Sequence, residues 1–126
     1  MIAHINGLQH IGIPSNDIES TKSFFNSLGF DVKLQTMNNN EKVAFLQLKN
    51  VMIEIYQNGK ANGHPGAIDH VALDVDDIEE ALMEVHQLGY SEMENGIQFL
   101  PFWENGVRFF TISGPDGEKI EFSQKL

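Results

Sequence analysis

Two histidines and two glutamates sit at matched places in a duplicated pattern, and that pattern is the chemistry this chain offers. The block Leu8-Gln9-His10-Ile11-Gly12-Ile13-Pro14-Ser15-Asn16-Asp17-Ile18-Glu19 returns sixty residues later as Ile68-Asp69-His70-Val71-Ala72-Leu73-Asp74-Val75-Asp76-Asp77-Ile78-Glu79. Both copies run on to a Leu-Gly-aromatic triplet, Leu28-Gly29-Phe30 and Leu88-Gly89-Tyr90. A second echo pairs Ile53-Glu54-Ile55-Tyr56-Gln57 with Ile120-Glu121-Phe122-Ser123-Gln124. Taken singly, a strand histidine or glutamate is an ordinary hydrogen-bonded or solvated residue. His10, Glu54, His70 and Glu121 together form a donor set for a divalent metal, which also offsets the cost of desolvating the carboxylates. Two imidazoles and two carboxylates leave open positions in an octahedral shell, suiting Ni²⁺, Co²⁺, Mn²⁺ or Fe²⁺, with Zn²⁺ also compatible.

The elements that must hold these residues follow from periodicity. Alternation marks strands at Leu8 to Ile13 and Ile68 to Leu73. Asn16 with Glu19, and Asp76 with Glu79, read as capping boxes that open helices. The helical stripes are Ile18, Thr21, Phe25, Leu28 and Ile78, Ala81/Leu82, Val85, Leu88, and each helix stops at a glycine, Gly29 or Gly89. Three strands follow each helix: about 31–35, 42–48 and 51–57, then about 98–102, 107–113 and 119–123. The turns are Asn38-Asn39-Asn40, Lys49-Asn50, Glu104-Asn105-Gly106 and Gly114-Pro115-Asp116-Gly117. Pro101 marks its strand as an edge or a bulged one.

The fold class is therefore α+β: two βαβββ modules, 1–60 and 64–126, joined by a Gly/Asn/Pro-rich connector. Neither module can bury its own sheet face, so the two are expected to close as one domain over 1–126 with a concave mixed sheet. Residues two apart on a strand face the same way. That puts Ile11, Ile13, Ile53, Ile55, Val71, Leu73, Ile120 and Phe122 toward the helices and the four candidate ligands on the concave side. Gly12 and Ala72 leave room beside the histidines. Met52, Tyr56, Phe99, Phe102 and Trp103 are candidate pocket residues, with packing the expected role of Phe99 and Phe102. Lys119 and Ser123 share the face of Glu121, and His4, His64 and His86 are expected at the surface.

Composition narrows the function. The chain has 126 residues, no cysteine, and 18 acidic against 8 basic residues, a formal charge of −10. Thiolate ligands are thus excluded, and neither nucleic-acid phosphates nor an anionic membrane surface suits such a chain. No apolar run approaches the ~18 residues of a membrane helix, and Met1-Ile2-Ala3-His4-Ile5-Asn6 lacks an export pattern, which reads as cytoplasmic.

The quoted blocks, with Phe24-Phe25-Asn26-Ser27-Leu28-Gly29-Phe30 and Gly114-Pro115-Asp116-Gly117-Glu118-Lys119-Ile120-Glu121-Phe122, resemble the vicinal oxygen chelate superfamily over essentially the whole chain. That superfamily includes glyoxalase I, methylmalonyl-CoA epimerase, extradiol dioxygenases, fosfomycin-resistance enzymes and bleomycin-binding proteins. Glyoxalase I (lactoylglutathione lyase) uses His, Glu, His, Glu in chain order, and His10, Glu54, His70 and Glu121 match it. Epimerases usually carry Gln at the second place. The resemblance implies a metal-dependent lyase or isomerase with one divalent ion per site. It would abstract a proton beside an oxygen held by the metal, with Glu121 or Glu54 as the base. The implied substrate is a small molecule such as a hemithioacetal of a 2-oxoaldehyde and a thiol. Pro14 stands where bacterial glyoxalase I has a glutathione-binding arginine, whereas Asn58 matches a family glutathione contact and Arg108 is the sole arginine. Family members commonly complete the cleft across two chains, which implies a homodimer. The alternatives are an epimerase-like isomerase and a non-catalytic small-molecule (drug) binder of the same fold.

Overall fold

The computed structural model describes every residue from Met1 to Leu126. The chain folds as two units, Met1–Ala61 and Asn62–Leu126. In the first, β1 (Ile11–Ser15) leads into α1 (Ile18–Ser27), then β2 (Asp31–Asn38), β3 (Glu41–Leu48) and β4 (Val51–Gln57). The second repeats this as β5 (Val71–Asp74), α2 (Ile78–Gln87), β6 (Gln98–Leu100), β7 (Val107–Ser113) and β8 (Lys119–Lys125). Each unit has one four-stranded mixed sheet, ordered β1-β4-β3-β2 and β5-β8-β7-β6. β1 runs parallel to β4 and β5 to β8, and the other neighbours are antiparallel. The expected α+β architecture of two βαβββ modules is the observed one.

The helices begin one residue later than the capping-box reading placed them. Asp17 and Asp77, not Asn16 and Asp76, are the N-caps, accepting from Glu19 and Ser20 and from Glu79 and Glu80 backbone N–H groups. Asn16 instead exchanges hydrogen bonds with the Ala61 backbone. Strand residues complete the caps. Gln57 Oε1 accepts from Ile18 N–H at 2.8 Å and Gln124 Oε1 from Ile78 N–H at 2.9 Å, so the last residue of each echo satisfies the first helical donor. At the far ends, Phe30 and Gly29 N–H groups bond back to Phe25 and Asn26 carbonyls, and Tyr90 and Gly89 bond back to Val85 and His86. This is the Schellman pattern, with Gly29 at φ +106° and Gly89 at φ +93° supplying the left-handed residue. The stripes differ in detail: α1 buries Ile18, Thr21, Phe24 and Phe25, and α2 only Ile78 and Val85, while Leu88 is exposed.

Each core lies between helix and sheet. Leu46, Ile53 and Ile55 are fully buried under α1, where Phe25 packs edge-on against both Phe24 and Phe30. Phe110, Ile112 and Ile120 are the equivalents in the second unit, with Phe110 stacked on Phe122. The buried hydroxyls of Ser15 and Thr21 satisfy each other at 2.8 Å. Asn39 and Asn40, at φ +48° and +68°, make the two-residue turn between β2 and β3. Gly117, at φ +83°, lies directly against the backbone of Gly63 and His64, so a side chain there would overlap the connector.

Several strand boundaries differ from expectation: β2 runs on to Asn38 and β8 to Lys125, past the expected ends at 35 and 123. β1 and β5 begin after the histidines because their ladders start at Ile11↔Ile53 and Val71↔Ile120, leaving Leu8 75% and Ile68 71% exposed. β6 ends at Leu100 because Pro101 has no N–H for the ladder. The segment before β6 is tied to β7 instead, through Met93 N–H to Thr111 O and Thr111 N–H to Glu94 Oε1.

Candidate metal centre

The register places the candidate ligands equivalently in both units. Gly12 pairs with Glu54 across β1–β4, and Ala72 pairs with Glu121 across β5–β8. Each histidine sits two residues ahead of the small residue, at the entry of its strand. Glu54 lies between the buried Ile53 and Ile55, and Glu121 between Ile120 and Phe122, so both carboxylates point away from the helix. The outcome is one His–Glu pair per unit. His10 Nε2 is 3.5 Å from Glu54 Oε1, and His70 Nε2 is 3.8 Å from Glu121 Oε1.

These separations exceed the 2.7–3.2 Å of a good N–H···O bond. The opposite ring nitrogens are engaged, His10 Nδ1 with Gln9 Oε1 and His70 Nδ1 with Asp69 Oδ2, both at 2.9 Å. An imidazole whose Nδ1 donates has, when neutral, a lone pair on Nε2. That lone pair faces a carboxylate oxygen, an arrangement suited to a cation between them. Two donors bound at ~2.1 Å to one ion stand ~3.0–3.4 Å apart, so the pair at 3.5 Å would close by up to about 0.5 Å and the pair at 3.8 Å by up to about 0.8 Å. An imidazole and a carboxylate are donor types that a divalent ion takes, but no three His, Asp or Glu side chains gather as one group.

The surroundings of the two pairs differ. In the first unit His10 meets the ring of Phe45 edge-on with centroids 5.5 Å apart, and Tyr56 stands over Gly12 beside Glu54. Met52 shares the strand face of Glu54 and Tyr56, as expected. In the second unit a cavity of about 220 Å³ is bordered by His70, Glu121, Phe109, Thr111, Glu94 and Lys119. Lys119 Nζ lies 3.5 Å from Asp69 Oδ1. The hydrogen bond from His70, helped by Lys119, holds the Asp69 carboxyl below its ordinary range despite partial desolvation.

Other candidates lie elsewhere. Arg108 is on the helix side of β7, bonded to Glu79 at 3.0 Å. Asn58 accepts from Lys60 N–H within its own turn. Trp103 is 70% exposed at a hairpin tip, with Lys125 Nζ 4.0 Å from its ring centroid. Phe99 and Phe102 are exposed rather than core; the Phe99 ring does lie across Gly106, a packing role within the hairpin. His4, His64 and His86 are exposed, His86 pairing with Glu92 at 2.8 Å. The sequence reading missed Gln9, Asp69 and Glu94. Polar residues before both repeated histidines were the available signal for the first two, whereas Glu94 lies in a segment without periodicity.

Residues 7–122 match the family model described as Glyoxalase/Bleomycin resistance protein/Dioxygenase superfamily. A relative from Bacillus subtilis (strain 168), the uncharacterized protein YwbC, is 33% identical, with 94% of this chain and 97% of that protein covered. Among solved structures, TnmS3, an antibiotic-binding protein from Streptomyces sp. CB03234, superposes with a TM-score of 0.79 at 21% identity, covering 98% of each chain. The fosfomycin resistance protein FosX of Listeria monocytogenes, complexed with Mn(II) and sulfate, gives 0.72 at 16% identity, covering 97% of this chain and 94% of that one. At these identities the structural likenesses speak for the fold.

Proposed function

The chain belongs to the Glyoxalase/Bleomycin resistance protein/Dioxygenase superfamily, and from that premise we propose that it is a divalent-metal-dependent lyase or isomerase of the glyoxalase I kind. Its ligands are His10, Glu54, His70 and Glu121, and the two units close as one domain that assembles as a cytoplasmic homodimer. The observation that carries this reading is the repeated His–Glu pair, in which each Nε2 faces a carboxylate oxygen at 3.5 or 3.8 Å with Nδ1 already engaged. Ni²⁺, Co²⁺, Mn²⁺, Fe²⁺ or Zn²⁺ would suit these donors.

When bound, the ion supplies Lewis-acid polarisation of substrate oxygens. The protein's own part is to bind, orient and move a proton. Glu54 or Glu121 takes the carbon-bound proton of a hemithioacetal and returns it to the neighbouring carbon. The product is the thioester of a 2-hydroxy acid, with no net gain or loss of atoms. His10 and His70 hold the donor frame. Phe45, Met52 and Tyr56 give the substrate an apolar wall beside the first pair. The thiol need not be glutathione: Arg108 is committed to Glu79, and Asn58 to its own turn.

A second reading, a non-catalytic small-molecule binder, draws on that same apolar wall and on the antibiotic-binding neighbour. Elemental analysis with a turnover assay separates the two. The wild type is expected to carry divalent metal, and His10→Ala and His70→Ala are expected to lose it. The wild type is also expected to convert a methylglyoxal–thiol adduct to the thioester of the 2-hydroxy acid. Wild-type metal content in both variants sinks the ligand assignment, and metal without turnover leaves the binder.

A further inference from the structure

The residue immediately before each histidine takes the ring nitrogen that the metal would not use. Gln9 Oε1 and Asp69 Oδ2 each lie 2.9 Å from the Nδ1 of the following histidine. The geometry recurs in both units although the residue types differ, one a neutral amide and the other a carboxylate. A carboxylate oxygen can only accept here, so Nδ1 of His70 must donate. In a neutral imidazole, the hydrogen bond at one nitrogen decides where the proton sits and leaves the other nitrogen bare. Glu54 Oε1 lies 3.5 Å from Nε2 of His10, and Glu121 Oε1 3.8 Å from Nε2 of His70.

We propose that Gln9 and Asp69 are positioning residues, holding His10 and His70 as Nδ1–H tautomers so that each Nε2 lone pair is presented beside its glutamate. The consequence for metal uptake rests on the proposed function, whereas the tautomer itself does not. Without a partner, the neutral imidazole of a peptide favours the Nε2–H form, whose Nδ1 lone pair would point away from Glu54 or Glu121. The two positions are not equal. Asp69 also meets Lys119 Nζ at 3.5 Å, so its orientation is fixed from two sides, while Gln9 has the histidine alone. His70 should therefore show the more complete tautomer bias.

The test uses the full-length, metal-free chain labelled with ¹⁵N, at mildly alkaline pH. Two-bond ¹H–¹⁵N correlation spectra report which nitrogen carries the proton, and His10→Ala and His70→Ala assign the signals. Both rings are expected as Nδ1–H in the wild type. Gln9→Leu should shift His10, and Asp69→Leu should shift His70, toward Nε2–H, each leaving the other ring unchanged. Gln9→Glu and Asp69→Asn keep an acceptor oxygen and should restore the wild-type form. Nickel titration of the same proteins should show about tenfold to a hundredfold weaker binding in the leucine variants and recovery in the conservative ones. Nε2–H signals in the wild type, or leucine variants with unchanged tautomers or unchanged nickel affinity, overturn the proposal. If the wild type takes up no nickel, the metalloenzyme reading fails and the tautomers alone decide the role of Gln9 and Asp69.

Discussion

Glu118 is expected to make this protein less stable as pH rises from 4.5 to about 7, and Glu118→Gln to abolish that loss. The carboxyl folds back into the Gly114–Gly117 turn, where its Oε1 accepts from Asp116 N–H at 2.7 Å and its Oε2 is buried without a partner. Desolvation, with the nearby Asp116 charge adding to it, raises the pKa from 4.5 to about 7. A folded-state pKa above the unfolded value means that the folded chain binds the extra proton between those limits. Stability is then highest below pH 4.5, falls from there to about 7, and stays at the lower level above that. At ~1.4 kcal/mol per pH unit the ceiling is about 3 kcal/mol. Partial exposure of the side chain brings the expectation down to about 1–2 kcal/mol. Gln at 118 imitates the protonated acid and keeps the acceptor for Asp116. Thermal unfolding followed by circular dichroism at about pH 4 and about pH 8 should show near coincidence at the lower pH. At pH 8 the variant should be ahead by about 4–8 °C, at ~4 °C per kcal/mol for a chain of this size. Parallel profiles across that range would refute the burial argument.

Two further expectations concern fold and site. Gln57→Leu and Gln124→Leu each leave a helical N–H without its strand acceptor, so each should cost about 1 kcal/mol, while Gln57→Glu and Gln124→Glu should retain stability; urea titrations check both. Gly12→Val places its Cβ 3.3 Å from Tyr56 Cε1 and 3.6 Å from Glu54 Oε1, so it should disturb metal uptake by elemental analysis while circular dichroism stays native, and unchanged uptake would move the ion away from Glu54.

Much of this was legible because duplication repeats local rules. The Leu-Gly-aromatic triplets marked both helix ends, since only a left-handed residue followed by an apolar one closes a Schellman cap. Alternation at Ile53-Glu54-Ile55 and Ile120-Glu121-Phe122 fixed which way the glutamates point, because one residue of slip would bury a charge. Local pattern was weaker at boundaries. Asn16 and Asp17 are both good caps in sequence, and the choice fell to Asp17 because Asn16 is tied to Ala61, 45 residues away. The roles of Gln57 and Gln124 likewise exist only once a parallel strand brings them to a helix start.

The amino-acid sequence by itself determined the repeated modules, the direction of the Glu54 and Glu121 side chains and the absence of thiolate chemistry. Tertiary structure decided which groups meet. It set each His Nε2 against a glutamate while Gln9 or Asp69 took Nδ1, brought Glu94 to the edge of the cavity in the second unit, and committed Arg108 to Glu79. The physical reason is range. Helix caps and strand alternation are set by neighbours within a few residues, whereas a ring orientation or an ion pair depends on side chains that only strand register brings together.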